Sequence, residues 1–111
     1  KDIVSQNLPG TTAKIKFKTS YPPMAPTKAN YALLDKFESV NVDLGYGSLE
    51  PLDPGKRGAA DISFVAPHVD ASLAGMGPDG SGEHSENESL DLTSFPKTTA
   101  RAAILIYRLT R

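Results

Sequence analysis

The placement of proline and glycine constrains this chain more than any other feature. Nine of each punctuate its 111 residues, and every proline fixes φ and removes a backbone donor. They leave uninterrupted room for two full helices, one between Pro26 and Gly45 and one from Pro96 to the end. The run Tyr21-Pro22-Pro23-Met24-Ala25-Pro26 fits neither a helix nor a central strand, and reads as an extended connector. Residues 45 to 58 are rich in turn formers, and Gly75, Gly77, Gly80 and Gly82 mark a long loop over 75 to 88.

Hydrophobic periodicity fills the gaps between these breaks. Thr27 is a good N-cap, and Leu33, Leu34, Phe37 and Val40 follow at helical spacing. A helix is therefore expected from Thr27 to about Asp43, closed by Gly45. A last helix is expected to begin around Leu92 to Pro96, burying Ala100, Ala103, Ile104 and Tyr107, with Leu105 and Ile106 widening the stripe, and turning Arg101, Arg108 and Arg111 outward. Residues 13 to 19 alternate, with Ile15 and Phe17 on one side and Lys14, Lys16 and Lys18 on the other. That is the pattern of a half-buried strand with one wet face. Shorter strands are expected at 47–52 and 69–73, and a short helix starting near Gly58. Asp2 to Leu8 reads as the last turns of a helix stopped by Pro9-Gly10, so Lys1 is not expected to be a natural start. Strands alternating with helices predict an α/β fold. The strands are few and short, so the chain is expected to be part of a larger sheet.

Composition removes several function classes. Twelve basic against thirteen acidic side chains give a net charge of −1, so no basic excess exists for nucleic acid. The absence of cysteine excludes disulfide scaffolds, cysteine-ligated zinc, iron–sulfur clusters and cysteine nucleophiles. It leaves the compartment open between cytoplasm and periplasm. The longest apolar run, Ala102 to Tyr107, falls far short of the roughly 20 residues that span a bilayer, so no membrane partner is expected.

Few residues carry a chemical signal. Gly75-Met76-Gly77-Pro78-Asp79-Gly80 matches a dinucleotide fingerprint in spelling only. No helical pattern follows it, and the five acids from Asp79 to Asp91 repel phosphate. Ser63, Ser81 and Ser85 lack a nucleophile-elbow context. His68, after Pro67, reads as structural or superficial. His84 lies among glycines with Glu83, Glu86, Asn87 and Glu88 beside it. It reads either as a surface histidine or as a metal ligand oriented by carboxylates.

Two stretches carry a family resemblance. Arg57-Gly58-Ala59-Ala60-Asp61-Ile62-Ser63 resembles the Gly-Gly-Thr-Asp-like turn of the M20 family of zinc metallopeptidases. Gly80-Ser81-Gly82-Glu83-His84-Ser85-Glu86-Asn87-Glu88-Ser89-Leu90-Asp91-Leu92 resembles that family's late signature. The family includes glutamate carboxypeptidases, aminoacylases and acetylornithine deacetylase. The resemblance implies a partial three-layer zinc-exopeptidase-like sheet with flanking helices, incomplete without an upstream chain. Residues 1–20 would end a lid or dimerisation domain with a helix end and its last strand, and residues 21–111 would form the C-terminal part of the catalytic domain.

The same resemblance makes His84 a metal ligand and lets Gly58, Ala59 and Asp61 border the substrate. Gly-Ala-Ala in place of Gly-Gly-Thr loses a threonine hydroxyl, and Tyr21 stands where some carboxypeptidase members place a substrate-gripping arginine. It implies two zinc ions per active site, with one ligand in this chain, and hydrolysis of a peptide or N-acyl amino-acid amide bond by metal-activated water. The resemblance puts the family's His-x-Asp motif and Glu-Glu pair upstream of this segment, so no catalytic residue is assigned here. The implied partners are the substrate, the remainder of the same enzyme, and a second copy in a homo-oligomer. The alternative expectation is a non-catalytic α/β interaction module.

Overall fold

The computed structural model describes residues 2–56 and 60–111. In chain order the regular elements are α1 (Lys28–Asp43), α2 (Ile62–Val65), β1 (Gly80–Ser81), β2 (Ser89–Leu90) and α3 (Ser94–Leu109), with 3-10 turns at Asp2–Ser5, Pro54–Lys56 and Ala66–His68. Helices and a two-stranded antiparallel sheet are what the described chain holds of an α/β architecture.

Helix α1 forms as its sequence directs. The Thr27 hydroxyl accepts from the Asn30 N–H at 3.1 Å, satisfying one of the donors that a helix start leaves free. At the other end the Gly45 N–H donates to Val42 O and the Tyr46 N–H to Asn41 O, both at 2.9 Å. These are the two bonds of a Schellman closure. Gly45 takes φ +76° there, a left-handed conformation that costs an L-residue about 1–2 kcal/mol.

The core is small. Phe37, Val40 and Leu105 are buried, with Leu34, Leu44, Leu49, Leu73, Met76 and Ile104 packed around them. Helix α3 packs on α1 by a face rotated from the expected stripe, keeping Ile104 and Leu105 in the core. Ser94, Thr98 and Leu105 are buried, whereas Ala103 is exposed and Tyr107 is 59% exposed. The polar groups explain the rotation. Ser94 and Thr98 satisfy their hydroxyls locally, on Asp91 O and Phe95 O. Arg101 and Arg108, expected on the outer face, reach across to α1. Arg101 donates to Asn41 Oδ1 at 3.2 Å, and Arg108 pairs with Asp43 at 2.6 Å. Buried Asn41 completes its bonding by donating to Gly47 O at 2.8 Å.

The predicted strands at 13–19, 47–52 and 69–73 do not form. Every residue from 11 to 20 is exposed, and Phe17 is 75% exposed. A strand needs a neighbour to take its backbone N–H and C=O groups, and none of the described residues provides one. Residues 69–73 are instead held singly, the Ser72 N–H donating to Asn30 Oδ1 at 2.9 Å. The expected helix end at Asp2–Leu8 is a 3-10 turn over Asp2–Ser5, and the short helix expected near Gly58 is α2; its predicted start falls outside the described residues.

The accessible surface is 9124 Å². A compact monomer of 11.8 kDa would expose about 5,900 Å². The radius of gyration, 19.9 Å, likewise exceeds the value of about 13 Å for a compact domain of this length. Ile3, Leu8, Phe17, Leu92 and Ile106 are among the apolar side chains left in solvent.

Candidate functional site

His84 sits in the seven-residue loop of the β1–β2 hairpin. The strands pair Gly80 with Leu90 and Ser81 with Ser89, and the Asp91 N–H donates to Asp79 O at 2.8 Å to continue the ladder. Within the loop Ser85 is the organiser. Its N–H and hydroxyl both donate to Gly82 O, and its hydroxyl accepts from the Asn87 N–H at 3.2 Å. Gly82 has φ +70°, and a Cβ there would lie 2.9 Å from Asn87 O, so the loop's tight return depends on glycine.

These turns present His84 to solvent in an unusual backbone state. It is the one non-glycine residue with positive φ among the described residues, at 64°. Histidine tolerates that region better than most side chains. Its N–H faces Glu88 Oε2 at 3.4 Å. Glu83, Glu86 and Glu88 share the loop and are exposed.

Asp61, the other described site residue, lies in the turn before α2. Its carbonyl accepts from the Phe64 N–H at 3.0 Å, and its side chain makes no helix-capping bond. Gly58 and Ala59 lie outside the described residues. The hairpin and α2 do not pack on each other, so the structure does not bring His84 and Asp61 together. Among the described residues no group of three or more His, Cys, Asp or Glu side chains is gathered around a common point. A catalytic zinc takes three protein ligands, so these residues do not compose a complete metal site.

The hairpin's base is tied to α3. The Asp79 N–H donates to Ser94 Oγ at 2.8 Å. Asp91 accepts from both the hydroxyl and the N–H of Thr93, at 2.7 and 2.8 Å. The Thr93 hydroxyl, then its N–H, hold the Asp91 carboxyl below its ordinary value. Beside this junction a cleft of about 400 Å³ is lined by Gly45, Tyr46, Asp79, Ser94, Lys97 and Arg101. The sequence pattern does not point to it, because helical periodicity puts Arg101 on the outer face. The spacing of Ser94, Thr98, Arg101 and Leu105 was the available signal for the face that turns inward.

The sequence model of Peptidase family M20/M25/M40 matches residues 4–108. The chain belongs to this family. No curated protein and no solved structure matches it. Membership in the M20 family assigns the chain to peptidases and related hydrolases, and the resemblance read from Gly58–Asp61 and Gly80–Leu92 agrees with it.

Proposed function

We propose that this chain is the C-terminal part of a zinc-dependent M20 peptidase or amidohydrolase that cleaves a peptide or N-acyl amino-acid amide bond. The family match over residues 4–108 carries the reading. The hairpin supports a role for His84 as one ligand of a metal site whose other ligands lie elsewhere in the enzyme. A glycine-tightened loop holds the imidazole clear of the packed helices, and Glu83, Glu86 and Glu88 lie in the same loop, where carboxylates can orient a ligating ring. The bound zinc pair would supply a Lewis acid that activates water. Gly58, Ala59 and Asp61 would border the substrate, and no residue of this chain serves as the general base.

The exposed apolar surface supports the same division of the molecule. Residues 1–20 would close a lid or dimerisation domain, where Ile15 and Phe17 meet a sheet. Residues 21–111 would join the catalytic domain and complete a three-layer sheet with flanking helices. The remainder of the enzyme, and a second copy in a homo-oligomer, would cover what is bare here.

The test uses His84→Ala and His68→Ala in the longest natural form of the protein. His84→Ala is expected to remove nearly all hydrolysis and to lower bound zinc, with the fold retained. His68→Ala is expected to turn over near normally. Wild-type kcat/KM and zinc content in His84→Ala would remove the ligand assignment. A natural protein with no hydrolase activity would leave the interaction module.

A further inference from the structure

We infer that the cleft between the end of α1 and the first turns of α3 is a binding site for a small oxyanion, a carboxylate or a phosphate. The inference is independent of the metal-ligand role of His84. Its basis is two cations held against aromatic rings, neither of them in a close ion pair among the described residues. Lys97 Nζ stands 5.9 Å from the centroid of the Tyr46 ring, and the Arg101 guanidinium 5.5 Å from that of Phe37. An aromatic face orients a cation without cancelling its charge.

No carboxylate of the described residues lies within 4.0 Å of either group; the ion pair there is Arg108 with Asp43. Arg101 spends one Nη donor on the neutral Asn41 amide, and its Nε is buried without a partner. A buried, unpaired charged donor carries an uncompensated desolvation cost, which an anion beside the guanidinium would lower. Lys97 and Arg101 are one helical turn apart, so both line the same wall. The positive end of the α3 dipole adds to their field. One acid, Asp79, shares the lining, and nearby Asp91, whose carboxylate also feels the Lys97 charge, takes its hydrogen bonds from Thr93. Because the Asp79 N–H bonds Ser94, an anion in the cleft would sit against the base of the His84 hairpin.

The experiment titrates the protein with inorganic phosphate and, separately, with succinate, followed by backbone amide NMR. Saturable shifts at Tyr46, Asp79 and Lys97 are expected with at least one of the two, and the tighter binder identifies the anion class. Lys97→Gln should weaken binding about tenfold, the loss of one charge-assisted contact. Asp79→Asn should tighten it, since an acid would be removed from the same cleft. Lys14→Gln, in the exposed segment, should leave it unchanged. No saturable shift with either anion, an equal loss in Lys14→Gln, or unchanged affinity in Asp79→Asn would each overturn the inference.

Discussion

Helix α1 and the segment 13–19 lie on either side of the proline connector and differ in where their backbone hydrogen bonds can go. Both have a clean apolar period. In α1 each N–H beyond the first turn finds a carbonyl four residues back, and the two ends are closed by Thr27 and by the Gly45 turn. In 13–19 every partner must come from another strand, and the described chain brings none alongside. The comparison shows that a period becomes an element only when its hydrogen-bond partners are within reach. It also locates the bare surface of this chain at the segments whose partners are distant.

The strongest way to break that comparison is to truncate an aromatic side chain on each side. Phe37→Ala is expected to cost about 3–5 kcal/mol, because Phe37 is one of three buried apolar side chains among the described residues and also carries the Arg101 contact. Phe17→Ala should stay within about 0.5 kcal/mol. Urea denaturation followed by circular dichroism measures both. An equal loss from Phe17→Ala would show that 13–19 is packed after all.

Smaller effects sharpen the account of α1. Gly45→Ala forces a Cβ into the left-handed conformation, at a cost of about 1–2 kcal/mol. Thr27→Ala removes the N-cap, at about 1 kcal/mol. The same melts should shift by those amounts without changing the helical signal of the folded state. A neutral Gly45→Ala would mean that the Schellman turn does not hold in solution.

The smallest effect separates the starts of the two long helices by pH. Asp91 has a folded-state pKa below its ordinary value, chiefly through the Thr93 hydroxyl. Its contribution is therefore complete above the ordinary carboxylate range. It is lost as pH falls through that range to the lowered folded value. The Thr93 and Ser94 amide resonances should move in that acid window, while that of Asn30, capped by the Thr27 hydroxyl, should not. Simultaneous movement of both sets would indicate general acid unfolding.

The site was legible only where chemistry and local turns coincide. Gly80, Gly82 and the polar run after them marked a loop, and His84 was singled out as its one imidazole. Its positive φ and the organising role of Ser85 were not visible in the sequence, because both arise from how the hairpin closes. Arg101 was misplaced for a related reason. The apolar side of α3, with Ala103 and Tyr107, has the pattern of a buried side, but Ser94 and Thr98 are buried in its place and Arg101 reaches Asn41 of α1.

By itself the sequence determined the two long helices, the Thr27 cap, the Gly45 stop, the extended proline connector and the loop around His84. All of these rest on hydrogen bonds or dihedral limits within a few residues along the chain. Only the tertiary structure decided which face of α3 is buried, that Arg101 and Lys97 line one cleft, and that Ile15 and Phe17 stay in solvent. Those outcomes depend on groups 15 to 65 residues apart in the chain. Asn41 reaches Arg101, Asp43 reaches Arg108, and Asp79 reaches Ser94, and no local pattern encodes which distant partner a polar side chain will find.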